Sequence, residues 1–396
     1  MQTSRVVSRP NNSTALLAVF SLAHFCHHLS TAAAVPLLPM IRDSFQLDYF
    51  RSGLLLSAFS IVYGLVQLPM GVIADRYSKR SVLSLGLLGT GAACIAAGLS
   101  GGYLQILMAL LLMGVAGSTY HAPSSAFLAQ VFDRETRGRV LGIHIVGGTL
   151  GLMAAPLVAI FVSNVTGGWR AAFIVMGLPI LLSGVLLWTL AGAHEAANRE
   201  QVAREKAEPL PLTTVVRLLG TLVIVAILTQ LLVAGMNSFL PLYLVDKHGA
   251  PKDMAGLVMA VVFAAGVVGA PVGGAISDRL GRKPIILMSV VGVGPMVFLV
   301  TILPLGPAMI GAIALYGLFQ VFRLPAIESQ IADVIPIRQR TTVLGGYNLV
   351  AQQTTGIATP IFGWVMDQFG LNTGFALLAA IGLGSALLVL AFWRKV

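Results

Sequence analysis

Twelve long apolar runs follow one another along this chain, near residues 15–40, 51–74, 82–100, 103–131, 139–163, 170–192, 217–245, 253–277, 284–303, 306–332, 342–366 and 371–393. About 20 apolar residues in a helix cross a hydrocarbon core about 30 Å thick. With no water there to satisfy the backbone, a helix is the element that can close its own hydrogen bonds within one segment. Only 10% of the residues are charged and 57% are hydrophobic, against about 25% charged in an ordinary soluble domain. A water-facing surface cannot be assembled from that supply. The predicted fold class is an all-α membrane protein of twelve transmembrane helices.

The net charge of +10 would suit a nucleic-acid partner if the basic residues formed one patch. They sit instead in short segments between the runs. With both ends on one side, that side holds Arg5, Arg9, Arg76, Lys79, Arg80, Arg134, Arg137, Arg139, Arg199, Arg204, Lys206, Arg217, Arg279, Arg282, Lys283, Arg338, Arg340, Arg394 and Lys395. The other holds Arg42, Arg51, Arg170, Lys247 and Lys252. The asymmetry predicts a multi-pass inner-membrane protein with both termini cytoplasmic, bathed in lipid and without nucleic acid. Arg5 and Arg9 precede an apolar stretch with no cleavage site, so the first run is read as a retained helix. Cys26 and Cys94 fall inside runs, which argues against a disulfide framework.

A polar interval, 193–216, divides the chain into 1–192 and 217–396, two six-helix bundles joined by a cytoplasmic linker. The halves repeat. Gly71-Val-Ile-Ala-Asp75-Arg76 recurs as Gly274-Ala-Ile-Ser-Asp278-Arg279, Asp43 as Asp246, and Leu141-Gly142 as Leu344-Gly345, all 203 residues apart. Parallel repeats of six spans place a substrate site at mid-membrane between the halves.

The segments Gly71–Ser81 and Gly274–Pro284 resemble the signature loop of the major facilitator superfamily, Gly-x-x-x-Asp-Arg-x-Gly-Arg-Arg/Lys, with Ser78 replacing the glycine in the first copy. A membrane-rim role follows: Asp75, Arg76, Asp278 and Arg279 become gating residues whose charge pairs bias one of two states. Gly142, Gly151 and Pro156, with Ala155 beside the proline, resemble the antiporter motif of the family's exporters. Small residues there permit close helix contact and proline bends the helix. Tyr120-His121-Ala122-Pro123 resembles a motif of fosmidomycin-resistance-like members. Leu110 stands where many members keep an arginine, so coupling through that residue is absent.

In this fold the first, fourth, seventh and tenth spans line the cavity. On the first, Ser21, His24, His27, His28 and Thr31 form one polar stripe. On the fourth, Tyr120 and His121 lie beside Pro123. Gln230 and Asn237 share a face of the seventh, and Gln320 and Arg323 a face of the tenth, with Arg323 roughly 15 Å deep at 1.5 Å per residue. The eleventh shows Asn348, Gln352, Thr355 and Thr359 at helical spacing. A charge at Arg323's depth costs about 2.5–3.5 kcal/mol and needs a wet cavity and a partner. Glu328 is about 140° around the helix, so another helix or the substrate must supply it. Substrate binding is therefore assigned to Arg323, His24, His28, His121, Tyr120, Asn237, Gln320 and Gln230, and proton coupling to His24, His28, His121 or Glu328. His24 and His28 have metal-ligand spacing, but no nearby Cys or acid completes a site, so no metal is expected.

His194-Glu195 lacks the second histidine of a zinc-protease motif, and Gly98-Leu99-Ser100-Gly101-Gly102 has no strand-to-helix setting for a nucleophile. No enzyme and no cofactor is expected. The chain reads as a monomeric secondary transporter working by alternating access, most simply proton-coupled efflux of a small anionic or polar compound. Uptake of an organic anion by symport or exchange is the alternative, and a non-transporting sensor on the same fold the remote one.

Overall fold

A computed structural model describes residues 13–132, 134–195, 211–335 and 337–392. Among them it holds fourteen helices: α1 Ser13–Thr31, α2 Ala34–Phe45, α3 Tyr49–Arg76, α4 Lys79–Gly98, α5 Tyr103–Gly117, α6 His121–Val131, α7 Arg134–Thr166, α8 Trp169–Glu195, α9 Leu212–His248, α10 Lys252–Leu280, α11 Arg282–Ile302, α12 Pro307–Val334, α13 Ile337–Phe369 and α14 Leu371–Phe392. The predicted runs become twelve crossings, because α1 with α2 and α5 with α6 each make one broken crossing, Thr14–Phe45 and Tyr103–Leu128.

Both breaks have the same cause. A proline cannot donate to the carbonyl four residues earlier, and its ring collides with it. Pro36 therefore frees the carbonyl of Ala32, and Pro123 that of Thr119. At each place the chain tightens into three-residue turns, with Ala33 N bonded to Ser30 O and Tyr120 N to Gly117 O.

Helix boundaries repeat at the 203-residue offset read from the sequence: Tyr49 maps onto Lys252, Lys79 onto Arg282, and Arg134–Thr166 onto Ile337–Phe369. The halves meet along two repeat-related pairs, α3 with α13 and α7 with α10. Among the described residues eleven crossings are long and apolar enough to span a membrane. The twelfth, α13, is more polar and lies against the opposite half, where Gln353 Nε2 donates to Ile61 O at 2.9 Å.

The two signature loops turn by different means. Gly281 adopts φ +90°, a conformation that favours glycine. Its counterpart Ser78 stays at φ −65° and caps α4 by accepting from Ser81 N at 3.1 Å. The serine thus keeps the turn without the glycine. Arg279 is exposed, whereas the side chains of Asp75, Arg76, Asp278 and Glu328 and residues 196–210 lie outside those described. Helix continues past both edges of the expected 193–216 linker, to Glu195 and from Leu212.

The face at which α1 begins and α14 ends is termed proximal and the other distal. On the distal rim the halves are locked crosswise. Arg42 forks onto Asp246, whose carboxylate also accepts from Tyr49 Oη at 2.7 Å, and Lys252 pairs with Asp43. Asp43 and Asp246 are repeat partners, as are Tyr49 and Lys252, so each aspartate reaches the equivalent position in the opposite half. Asp367 adds a third tie by accepting from Tyr49 N and Phe50 N, 2.9 and 2.8 Å, at the N-terminus of α3.

Candidate functional site

The breaks at Pro36 and Pro123 deliver polar side chains to one level between the halves. A cavity of about 290 Å³ lies there, walled by His27, His28, Thr31, Tyr63 and His121 from the first half and Asn237, Ser238, Gln352, Thr355 and Thr359 from the second. Among the described residues that line it, none is acidic. Asn348, at the same helical spacing on α13, is exposed instead.

Behind His28 and His121 the imidazoles continue. His24, His28 and His121 form a near-equilateral set, with ring centroids 5.0, 5.0 and 5.1 Å apart. His144 of α7 stacks on His24 at 4.3 Å, and its Nε2 lies 3.3 Å from Ser124 Oγ. His27 stacks on Tyr120 at 5.1 Å. His24 Nδ1 lies 2.8 Å from the carbonyl of His144. A carbonyl only accepts, so Nδ1 carries the proton and Nε2 the lone pair. That Nε2 is buried with no hydrogen-bond partner.

His144 escaped the sequence reading because the fifth span was read for small residues alone. Its signal was a histidine two places after Gly142. The glycines explain how α7 comes so near. A Cβ at Gly151 would stand 2.3 Å from Phe25 O, and one at Gly148 only 2.5 Å from His24 Nε2. Gly142 has nothing within 4 Å, so of the antiporter-like glycines Gly151 makes the close contact and Gly142 does not. Pro156 continues α7 without a break.

The expectation of no metal site rested on the lack of a further ligand beside His24 and His28. The fold supplies one, His121, brought in by the break before α6, which removes that reason. Tyr120 is placed differently from the expectation. Its hydroxyl donates to Phe20 O at 2.7 Å, and it is buried outside the cavity lining, as a platform for His27.

In the second half, Asn237 reaches from the cavity wall to Gln320, Nδ2 to Oε1 at 3.3 Å, and accepts from Tyr316 Oη at 2.9 Å. Gln320 is one helical turn from Arg323, whose side chain is 3% exposed and lies outside the cavity lining. Its Nη1 donates to Tyr347 Oη and its Nη2 to Gln230 Oε1, both at 3.3 Å, while Nε has no hydrogen-bond partner. Among the described residues no carboxylate pairs with it. Tyr316 and Tyr347, which no sequence pattern marks, complete this network.

The fold and the sequence both match known transporters. The chain is 27% identical over 291 residues to the fosmidomycin resistance protein of Escherichia coli, covering 73% of this chain and 71% of that protein. It is 24% identical over 396 residues to the hexuronate transporter of Bacillus subtilis, covering 95% and 93%. A bacterial homologue of the human lysosomal transporter Spinster, solved inward-facing and occupied, superposes with a TM-score of 0.77 at 17% identity over 96% of this chain and 94% of that one. The sequence pattern that describes the Major Facilitator Superfamily matches residues 20–251 and 222–396. With two six-crossing bundles meeting at a central cavity and a family match spanning both, the chain belongs to the Major Facilitator Superfamily and is a multi-pass membrane transporter rather than an enzyme.

Proposed function

We propose that this transporter carries small anionic compounds out of the cell across the inner membrane in exchange for protons. The observation behind this reading is Arg323. Among the described residues this buried guanidinium is held by two neutral oxygens at 3.3 Å, with one nitrogen unpartnered and no carboxylate to supply the negative charge that burial demands. An anionic substrate supplies it. The hydrogen-bonded pair Asn237 and Gln320 joins the cavity wall to the helical turn that bears the guanidinium, and a lining without acids favours an anion over a cation. The hexuronate transporter, similar along nearly the whole chain, is named for an anion. Export is argued from the antiporter-like Gly151 and Pro156.

In this reading the distal face is outside and both termini are cytoplasmic. The crosswise pairs of Asp43 and Asp246 close the outer gate, and the bundles 1–192 and 217–396 rock about the linker 193–216. Asp75, Arg76, Asp278 and Arg279 form the opposing rim contacts that break when the outer pairs form. His28 and His121 on the cavity wall, with His24 behind them, carry the coupling proton, and Glu328 is the remaining candidate. One chain suffices for the cycle.

The test is flux of a panel of carboxylates, phosphonates and cations in proteoliposomes with an imposed pH step of either sign. Arg323→Ala is expected to lower anion flux at least 100-fold while eluting and melting as the parent does, with partial recovery in Arg323→Lys. Unchanged anion flux in Arg323→Ala would overturn the proposal, as would a preference for cations. Flux that runs only inward would overturn its direction.

A further inference from the structure

We propose that His24, His28 and His121 form a tri-imidazole site for a divalent transition ion of the zinc class, with its remaining coordination position facing the central cavity.

One ring nitrogen from each histidine lies within 4.8 Å of those of the other two. A zinc–nitrogen bond is about 2.0–2.1 Å, so three imidazoles on a tetrahedral ion have their nitrogens about 3.4 Å apart. Closing the widest pair by about 1.4 Å takes small side-chain rotations and no movement of the helices. His24 and His28 are one helical turn apart on α1, and His121 opens α6 just after the break, so rigid backbone places all three.

His24 is already prepared as a ligand. Its Nδ1–H is held by the His144 carbonyl at 2.8 Å, which orients the ring and leaves the lone pair on Nε2. That nitrogen is buried and has no other partner, and Gly148 leaves the space that its ring needs. His28 and His121 line the cavity and His24 does not, so a bound ion would sit at the cavity wall with its open side inward.

The donor set chooses the ion. Three neutral imidazoles without carboxylate suit Zn²⁺, Co²⁺, Ni²⁺ or Cu²⁺ and not Mg²⁺ or Ca²⁺. An anionic oxygen entering the cavity would complete the coordination and neutralise part of the charge. Protons compete for the same lone pairs, so binding weakens as pH falls. The inference does not depend on the substrate reading, because its readout is the ion and not flux.

The experiment uses the full-length protein in detergent, freed of any affinity tag. Titration with Co²⁺ is expected to give one ion per chain with the visible absorption of a four- or five-coordinate site. Affinity should fall at least tenfold in each of His24→Asn, His28→Asn and His121→Asn and stay within twofold in Arg323→Ala. If a histidine variant fails to fold, electron paramagnetic resonance of Cu²⁺ on the parent decides: coupling to three nitrogens supports the site, and coupling to fewer overturns it. Binding of no Co²⁺, or binding that all three histidine variants retain, also overturns it. Loss of flux in Arg323→Ala with Co²⁺ binding intact separates this site from the anion site.

Discussion

Replacing Gly148 by alanine tests how the imidazole cluster is held. A Cβ at this position would stand 2.5, 2.6 and 2.7 Å from Nε2, Cε1 and Cδ2 of His24, where carbon needs about 3.5 Å. The ring must retreat by nearly 1 Å. A shift of that size works against its stacking on His144 at 4.3 Å and its bond to the His144 carbonyl. Overpacking of this kind costs about 1–3 kcal/mol, and loss of the buried hydrogen bond adds about 0.5–1.5 kcal/mol. The expected destabilisation is about 2–4 kcal/mol. The same helix carries its own control. Gly142 meets nothing within 4 Å, so Gly142→Ala should be neutral or stabilising by about 0.5–1 kcal/mol, the ordinary gain of alanine over glycine in a helix. Denaturant titration of both variants in mixed micelles measures the difference, with flux recorded alongside. Equal stability of Gly148→Ala and Gly142→Ala would refute the packing argument.

The distal rim should respond to charge. Asp246→Asn removes a forked pair with Arg42, worth about 1–2 kcal/mol for partly covered groups, and should shift the population toward an open distal face by about 5–30-fold, read as spin-label distances across the rim. The repeat symmetry adds a stricter check: Asp43→Lys alone should open the rim, and Asp43→Lys with Lys252→Asp should close it again. Pro123→Ala restores a backbone donor to the Thr119 carbonyl and should let α5 run into α6, raising the melting temperature while moving His121 and lowering flux. A variant with unchanged melting and flux would show that the break is not set by this proline.

Much of the fold was legible because lipid imposes a rule that acts locally. Each crossing must be about 20 apolar residues long and satisfy its own backbone, so the runs and their loop charges could be counted without knowing what packs on what. The 203-residue repeat survived for the same reason, and helix boundaries such as Arg134–Thr166 and Ile337–Phe369 follow it. Arg323 was also legible, since a charge at that depth is costly wherever it points.

What the sequence could not decide is which polar groups meet. His24 and His28 announce themselves by spacing on one helix, but His121 and His144 join them only because a proline breaks one helix and glycines draw another to within van der Waals reach. Tyr120 looked like a cavity residue, yet its hydroxyl is spent on the Phe20 carbonyl. Gly142 and Gly151 read alike in one motif, though only the second touches a neighbouring backbone. Spacing along a helix gives direction to within a face, whereas a hydrogen bond or a metal ligand is settled over distances of an ångström or less. The sequence by itself determined the number and approximate length of the spans and their repeat at 203 residues, because a crossing's length and apolarity follow from the solvent. The tertiary structure alone decided the histidine cluster, the crosswise rim and the partners of Arg323, because those depend on contacts between residues as far as 318 positions apart.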